Sequence, residues 1–341
     1  MAGKPHYRRA DIRSNEVAMF AGSLFTGIGG LDLGLDRAGF KIIWQVERDK
    51  FCQQVLRTHW PGVTLYDDVR EVGRKNLIPV DLIAGGFPCQ DLSIAGKRAG
   101  LDGERSNLWY EFARIIDELA PAWVLIENVP GLLSSRRGND LRIILQWLVE
   151  RRYGVAWRVL DSQYFGLAQQ RKRVFIVGSL GNMCAAQVLF ESACVCGNPP
   201  PGRKARQNSS RHLAPCLRAS GCGTARMGDA RGQDPVVAMT LNAKNRIDGE
   251  SETFIPGKFT HTSRGFNQKW VVRRLTPTEC ERLQGFPDGW TACAGLTDSA
   301  RYRILGNAVS VPVAEWIGKR ILSNDGHIPQ WGNCPKAADF K

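Results

Sequence analysis

Between residues 16 and 180 the chain repeats one pattern, a short apolar run followed by an amphipathic stretch. The runs are MFAGSLF, IIWQVE, VTLY, VDLIAG, AWVLIEN, VAWRVLD and RVFIVGS, all of strand length and most of them rich in β-branched and aromatic residues. Helical patterns separate the first five. In SNLWYEFARIIDELA, Leu108, Phe112, Ile115, Ile116 and Leu119 fall on one face at helical spacing, and GNDLRIILQWLVERR follows the same rule. Strands that alternate with helices bury both faces of a mostly parallel sheet, so the expected class is α/β. The last two runs have no helix between them and are expected to pair antiparallel at one edge of the sheet.

The 341 residues suffice for one large domain with a smaller companion, and 23% charged with 43% hydrophobic residues is ordinary globular composition. Lys and Arg outnumber Asp and Glu by 46 to 33, a net charge of +13. An excess of this size fits a polyanion partner, nucleic acid foremost, as well as a plain basic surface. VAMFAGSLFTGIGGL is glycine-rich, too short to span a bilayer and followed by Asp32 and Asp36, so no membrane association is expected. MAGKPHYRRADIRSN lacks the apolar centre of a secretory signal. The expected setting is the reducing cytoplasm, with the ten cysteines mostly free. Cys194 and Cys196, followed by His212, Cys216 and Cys222, come nearest to a metal set, but they open with C-x-C rather than C-x-x-C. No metal is expected.

Composition changes near residue 182. Over residues 198–231 seven basic side chains accompany one acid, Asp229, in a stretch rich in Gly, Pro and Ser. The segment fits either a disordered insert or an irregular recognition module, and the later runs PVVAMTL and WVVRRL favour the module. Order returns at RRLTPTECERLQGFPDGW. Thr276 is an N-cap, Pro277 takes the first helical position, Glu279 completes a capping box and Gly285 ends the helix. SVPVAEWIGKRIL then reads as an amphipathic helix.

Two local patterns carry chemistry. GSLFTGIGGLDLGLDRAGF is a strand, a glycine-rich turn and a helix, which brings backbone N–H groups to a ligand at a helix N-terminus. Glu47 ends the next apolar run, where a carboxylate can accept two ribose hydroxyls. Gly27, Gly29 and Gly30 are present, but Asp32 occupies the last glycine position of G-x-G-x-x-G, where an acid would face pyrophosphate charge. A nucleoside cofactor without phosphates, S-adenosylmethionine, is therefore expected, with Asp68 of YDDV at the adenine amino group. The second pattern is DLIAGGFPCQDLSIAGKRAGL, which puts Cys89 at the C-terminal end of a strand, the ligand edge of open α/β sheets. A single cysteine is ordinarily a buried apolar filler. Here Pro88 stiffens the approach, two glycines permit close contact, IENV brings Glu127 to the same edge, and QQRKR adds Arg171 and Arg173. Carbon 5 of cytosine is a poor nucleophile until a thiolate adds at carbon 6. A buried carboxyl at N3 eases that addition, and cations favour the thiolate.

FTGIGG, GGFPCQDLSIAGKRAGL, ENV, QQRKRVFIVG, RRLTPTECERLQGFPDGW and RILGNAVSVPV together resemble, in order, the motif series of the DNA (cytosine-5)-methyltransferases. They cover most of the chain outside residues 182–272. The resemblance implies a Rossmann-like S-adenosylmethionine methyltransferase sheet with an antiparallel edge hairpin, plus a smaller irregular target-recognition domain. Residues 1–181 and 301–341 would form the catalytic domain, and 182–300 the recognition domain and hinge. By the same resemblance Cys89 is the nucleophile, Glu127 engages N3 and the exocyclic amine, Arg173 contacts the ring O2, and Arg171 supports this region. Phe25, Gly27, Ile28 and Gly30 would line the methionine and ribose of the cofactor, Glu47 its ribose hydroxyls, and Asp68 and Val69 its adenine. Leu108, Asn307 and Val309 would close that pocket. Gln90, Ser93 and the loop to Leu101 resemble a mobile catalytic loop that closes over DNA, and Thr240 in MTLNAK is a candidate for positioning a flipped nucleotide. The implied partner is double-stranded DNA bound by a monomer, with the target cytosine turned out of the helix. The nearest alternative is a tRNA-modifying member of the same family, whose recognition segment is generally shorter.

Overall fold

A computed structural model describes residues 19–88, 108–190, 254–258, 270–293 and 295–325. The seven apolar runs form one sheet: β1 (Phe20–Leu24), β2 (Lys41–Val46), β3 (Thr64–Tyr66), β4 (Leu82–Gly85), β5 (Trp123–Asn128), β6 (Tyr153–Asp161) and β7 (Lys172–Leu180). Their order is β3-β2-β1-β4-β5-β7-β6. The first five are parallel, and β7 runs antiparallel between β5 and β6. The C-terminal ends of β1, β2, β4 and β5 therefore share an edge with the N-terminal end of β7. Pairing of Asn128 with Val174 places Arg173 just beyond the end of β5.

Period-two alternation divides the strand side chains between two cores. In β5, Val124 and Ile126 enter one core while Trp123 and Leu125 enter the other, and all four are buried. The first core is covered by α3 (Leu108–Leu119) and α4 (Asn139–Glu150), through Phe112, Ile115, Ile116, Ile144 and Leu148. The second is covered by α1 (Gly30–Ala38), α5 (Cys184–Leu189) and a helix from far down the chain, α8 (Val311–Asp325). Helices α1 and α8 meet at glycine distance. A Cβ on Gly34 would stand 2.5 Å from that of Ala314, and one on Gly318 would stand 2.8 Å from that of Ala38.

A third apolar cluster joins α2 (Lys50–His59) to α6 (Pro277–Gln284) and α7 (Asp298–Asn307). Helix α6 starts as its sequence predicts, with the Thr276 hydroxyl accepting from Glu279 N and the Glu279 carboxylate from Thr276 N, and Gly285 ends it at φ 83°. Cys280, Phe286 and Trp290 pack with Ile28, Cys52 and Val55. The His59 ring stacks on Trp290 at 3.5 Å, and Trp290 Nε1 donates to the Ile28 carbonyl at 2.9 Å. Part of the stretch expected to serve as hinge, from Leu275 onward, thus packs beside the glycine turn. β8 (Phe254–Lys258) and β9 (Trp270–Arg274) form a separate antiparallel pair. Among the described residues, Cys52, Cys280 and Cys293 are free thiols. No helix among the described residues is long and apolar enough to cross a membrane.

Candidate active site

The glycine turn connects β1 to α1 through left-handed backbone at Phe25 (φ 55°), Gly27 (φ 60°) and Gly29 (φ 82°). Phe25 carries a Cβ, so its conformation needs support. Its ring stacks on Phe112 at 6.3 Å, and the next residue is pinned where Thr26 N and Oγ1 both donate to Val46 O at 3.2 Å. Glu47, one residue beyond β2, completes the turn. Its Oε2 accepts from Gly27 N at 2.6 Å and its Oε1 from Asp49 N at 2.7 Å. A carboxylate offers about four acceptor sites, so the two remaining ones suit ribose hydroxyls. A Cβ on Gly27 would meet nothing within 4 Å, which leaves open space beside Glu47. On the other side, a Cβ on Gly30 would lie 2.4 Å from the carbonyl oxygen of Val309, so the segment between α7 and α8 closes directly on the turn. Asn307, the last residue of α7, is exposed. Burial pushes the Glu47 carboxyl up, against the pull of the two N–H donors. These residues fit a nucleoside with free hydroxyls.

Two expectations for this turn change. The Ile28 side chain is fully buried among Cys52, Val55 and their neighbours, and its carbonyl accepts from Trp290 Nε1, so the side chain does not line the open side of the turn. Asp32 does not face the ligand side at all. It lies fully buried under the turn, with Oδ1 accepting from Ser23 Oγ at 2.8 Å and from Gln45 Nε2 at 2.9 Å. Ser23 Oγ is in turn 2.7 Å from Thr26 Oγ1. Departure from the dinucleotide pattern at position 32 therefore reflects a polar anchor beneath the turn and says nothing about phosphate. Burial pushes the Asp32 carboxyl up to about 6.

Asp68 caps the short 3-10 turn Val69–Glu71, accepting from Arg70 N at 3.0 Å, and the Val69 side chain enters the first core. Leu108 begins α3 and packs against the same core.

At the catalytic edge, β4 runs out through Gly85, Gly86, Phe87 and Pro88. A Cβ on Gly85 would stand 2.4 Å from Leu24 O, and one on Gly86 would stand 2.8 Å from Glu127 Oε2. Phe87 anchors the exit, buried with its ring 5.7 Å from Trp109. The backbone leading to Cys89 thus passes directly over the Glu127 carboxylate. Glu127 Oε1 lies 3.1 Å from Arg173 Nε, and the two side chains keep only 12% and 17% of their surface. Burial pushes the Glu127 carboxyl up, while Arg173 and then Arg171 pull it down, and burial prevails. Arg171 is buried. Its backbone N donates to Asp161 Oδ1 at 2.9 Å and its Nη2 to Gly306 O at 3.0 Å and Ala308 O at 2.8 Å, while Nε and Nη1 have no partner among the described residues. A second tie runs beside it: Ser162 Oγ is 2.7 Å from Ser310 Oγ, which donates to Gln284 Oε1 at 3.0 Å.

The structure therefore brings Glu127, Arg171 and Arg173 together, and gathers Phe25, Gly27, Gly30, Glu47 and Val309 around one turn. Cys89, Gln90, Ser93 and Thr240, and the Cys194–Cys222 group, lie outside the described residues. Of the two glycines expected to permit close contact, one makes it directly, and one further contributor was not anticipated. Gly86 meets Glu127, and Asp49 caps α2 while receiving Arg303 Nη1 at 2.7 Å. An acid immediately before KFCQQVLRTH was a visible N-cap signal; nothing in the sequence pairs it with Arg303.

The family model of the C-5 cytosine-specific DNA methylases matches residues 19–191 and 203–323. The chain belongs to this family. It is a DNA (cytosine-5)-methyltransferase. This methylase is similar to the type II methyltransferase M2.BsuMI of Bacillus subtilis, at 33% identity over 315 residues that span 90% of this chain and 76% of the relative. It is similar also to the type II methyltransferase M.FnuDI of Fusobacterium nucleatum, at 31% identity over 88% of this chain and 93% of the relative. Among solved structures, the Entamoeba histolytica methyltransferase EhMeth aligns over 91% of this chain and 99% of its own, with a TM-score of 0.63 and 16% identity, a likeness of fold. Family and fold imply a methyl donor of the S-adenosylmethionine type and DNA as the substrate of the methylase.

Proposed function

We propose that this methylase moves the methyl group of S-adenosylmethionine to carbon 5 of a cytosine turned out of duplex DNA, through a covalent bond between Cys89 and carbon 6. The observation that carries this reading is the Glu127–Arg173 pair beside the backbone of Gly86, three residues before Cys89. That chain exit runs beside a carboxyl pushed up by burial and a cation, and a stacked base cannot reach such a recess.

Glu127, its carboxyl pushed up by burial, holds the proton at cytosine N3. Arg173 donates to O2 and draws charge from the ring. The Cys89 thiolate then forms the Sγ–C6 bond, and the electrons of the C5–C6 double bond move to carbon 5. S-Adenosylmethionine, when bound, supplies an electrophilic methyl group and keeps the sulfur's bonding pair as that group leaves. Carbon 5 next gives its proton to water, the Sγ–C6 bond breaks, and its electrons return to Cys89 as thiolate. Arg171 holds the edge hairpin to the segment that carries Asn307 and Val309. Phe25, Gly27, Ile28 and Gly30 receive the methionine and ribose, Glu47 the ribose hydroxyls, and Asp68, Val69 and Leu108 the adenine. Gln90 and Ser93 belong to a loop that closes on the DNA, and Thr240 positions the flipped nucleotide. In this reading residues 1–181 and 301–341 do the chemistry as a monomer, and 182–300 supply recognition and hinge.

Replacing every cytosine of a duplex fragment by 5-fluorocytosine tests the covalent step without knowledge of the target site. Carbon 5 then carries fluorine where a proton must leave, so the adduct persists on a denaturing gel. An adduct is expected with wild-type protein and S-adenosylmethionine, and none with Cys89→Ala. An adduct that survives Cys89→Ala overturns the assignment.

A further inference from the structure

The two expected walls of the adenine slot come from different parts of the chain. Asp68 and Val69 lie in the loop after β3, and Leu108 lies at the start of α3. One side chain joins them. Arg114, on the second turn of α3, sends Nη2 to the carbonyl oxygens of both Val69 and Val72, at 2.9 Å each. Its Nε donates to Glu111 at 2.9 Å and its Nη1 to Glu118 at 2.7 Å, so carboxylates one turn away on either side fix the plane of the guanidinium. Glu118 reaches the same loop itself, accepting from Arg74 N at 2.7 Å, while Arg74 Nε donates to the Glu118 carbonyl at 2.9 Å. The fit is close: a Cβ on Gly73 would run into the Glu118 carboxylate and stand 3.1 Å from Arg114 Nη1, so both side chains would have to shift. The helix is fixed on its other side as well, where Phe112 stacks on Phe25 of the glycine turn.

We infer that Arg114 is a positioning residue for the cofactor: it sets the distance between the Asp68–Val69 loop and α3, and thereby the width of the slot that takes the adenine. This rests on the reading that Asp68 and Val69 bind the adenine. Arg114 itself touches the backbone of the loop and neither substrate nor reacting atoms. Lysine has the charge but a single point donor, so it cannot span two carbonyls and two carboxylates.

The test is steady-state kinetics and equilibrium binding of S-adenosylmethionine with the full chain. Arg114→Lys is expected to raise the KM and the Kd for S-adenosylmethionine about tenfold, the order of one or two lost charge-assisted hydrogen bonds. Turnover at saturating cofactor and the KM for DNA should stay within about twofold, a split that general loss of structure does not produce. Glu118→Gln, which keeps Arg114 but weakens both its orientation and the Arg74 contact to the same loop, is the milder probe and should raise the same KM about threefold. Asp68→Ala should weaken cofactor binding by itself, and Arg114→Lys should add little in that background, because the contact that the loop delivers is already gone. Unchanged cofactor affinity in Arg114→Lys, or equal losses in turnover and both KM values, overturns the positioning role while Asp68→Ala still reports on the adenine. Full affinity in Asp68→Ala instead overturns the adenine reading, and the role of Arg114 falls with it.

Discussion

Asp32 occupies the position where dinucleotide-binding turns carry a glycine, yet its carboxyl group is spent on Ser23 and Gln45 below the turn. Its second oxygen is buried with no partner among the described residues, and burial holds the group near 6, against an ordinary 3.8. The folded state thus binds this proton more tightly than the unfolded chain does. Its contribution to stability is complete below about pH 4 and is lost as pH rises through about 6, a difference of order 3 kcal/mol. Thermal melts between pH 5 and pH 7.5 should fall accordingly in the wild type. In Asp32→Asn, which keeps an acceptor for Ser23 and Gln45, that part of the fall should vanish; an unaltered slope would assign the titration to another group. The positions of Glu127 and Arg173 were legible because each stands at the end of an apolar run, and strand ends define the ligand edge. The direction of Asp32 was not legible, because it depends on Gln45, a partner on another strand that periodicity does not identify.

Strand and helix identities followed from local pattern, and the capping box of α6 appeared as its residues dictate. The placement of β7 between β5 and β6 needed more. β6 continues parallel to β5 but one position away, and the return segment fills the gap. A signal existed in composition: RVFIVGS is almost wholly apolar and lies inside the sheet, whereas VAWRVLD carries Arg158 and the half-exposed Trp157 and lies at the edge. The contact between α1 and α8 was invisible, since glycine in a helix reads as a weakness until its neighbour is known. Gly34→Ala tests that contact. Alanine gains about 1 kcal/mol of helix propensity, but its Cβ would sit 2.7 Å from both Val311 O and Glu315 N, where overpacking costs about 1–3 kcal/mol. The clash should win, with a calorimetric midpoint lowered by about 1–3 °C; an equal or higher midpoint would mean that α8 moves aside freely.

For the molecule as a whole, the net charge of +13 suits a polyanion such as DNA, while the turn proposed for the cofactor is lined by Glu47 and glycines. The two ligands should therefore answer differently to salt. With about five phosphates neutralised, log affinity for duplex DNA should fall with log salt at a slope of about −4, and S-adenosylmethionine binding should stay nearly flat. Titrations over a series of NaCl concentrations measure both, and a shallow DNA slope would remove the electrostatic account. The segment that carries Val309 seals the glycine turn near the N-terminus, and Arg171 holds the carbonyls of Gly306 and Ala308. A polypeptide emerging from the ribosome has its thiol, its carboxyl and most of its sheet long before that seal. A chain that stops before residue 309 keeps Cys89, Glu127 and the whole sheet, yet lacks one wall of the glycine turn.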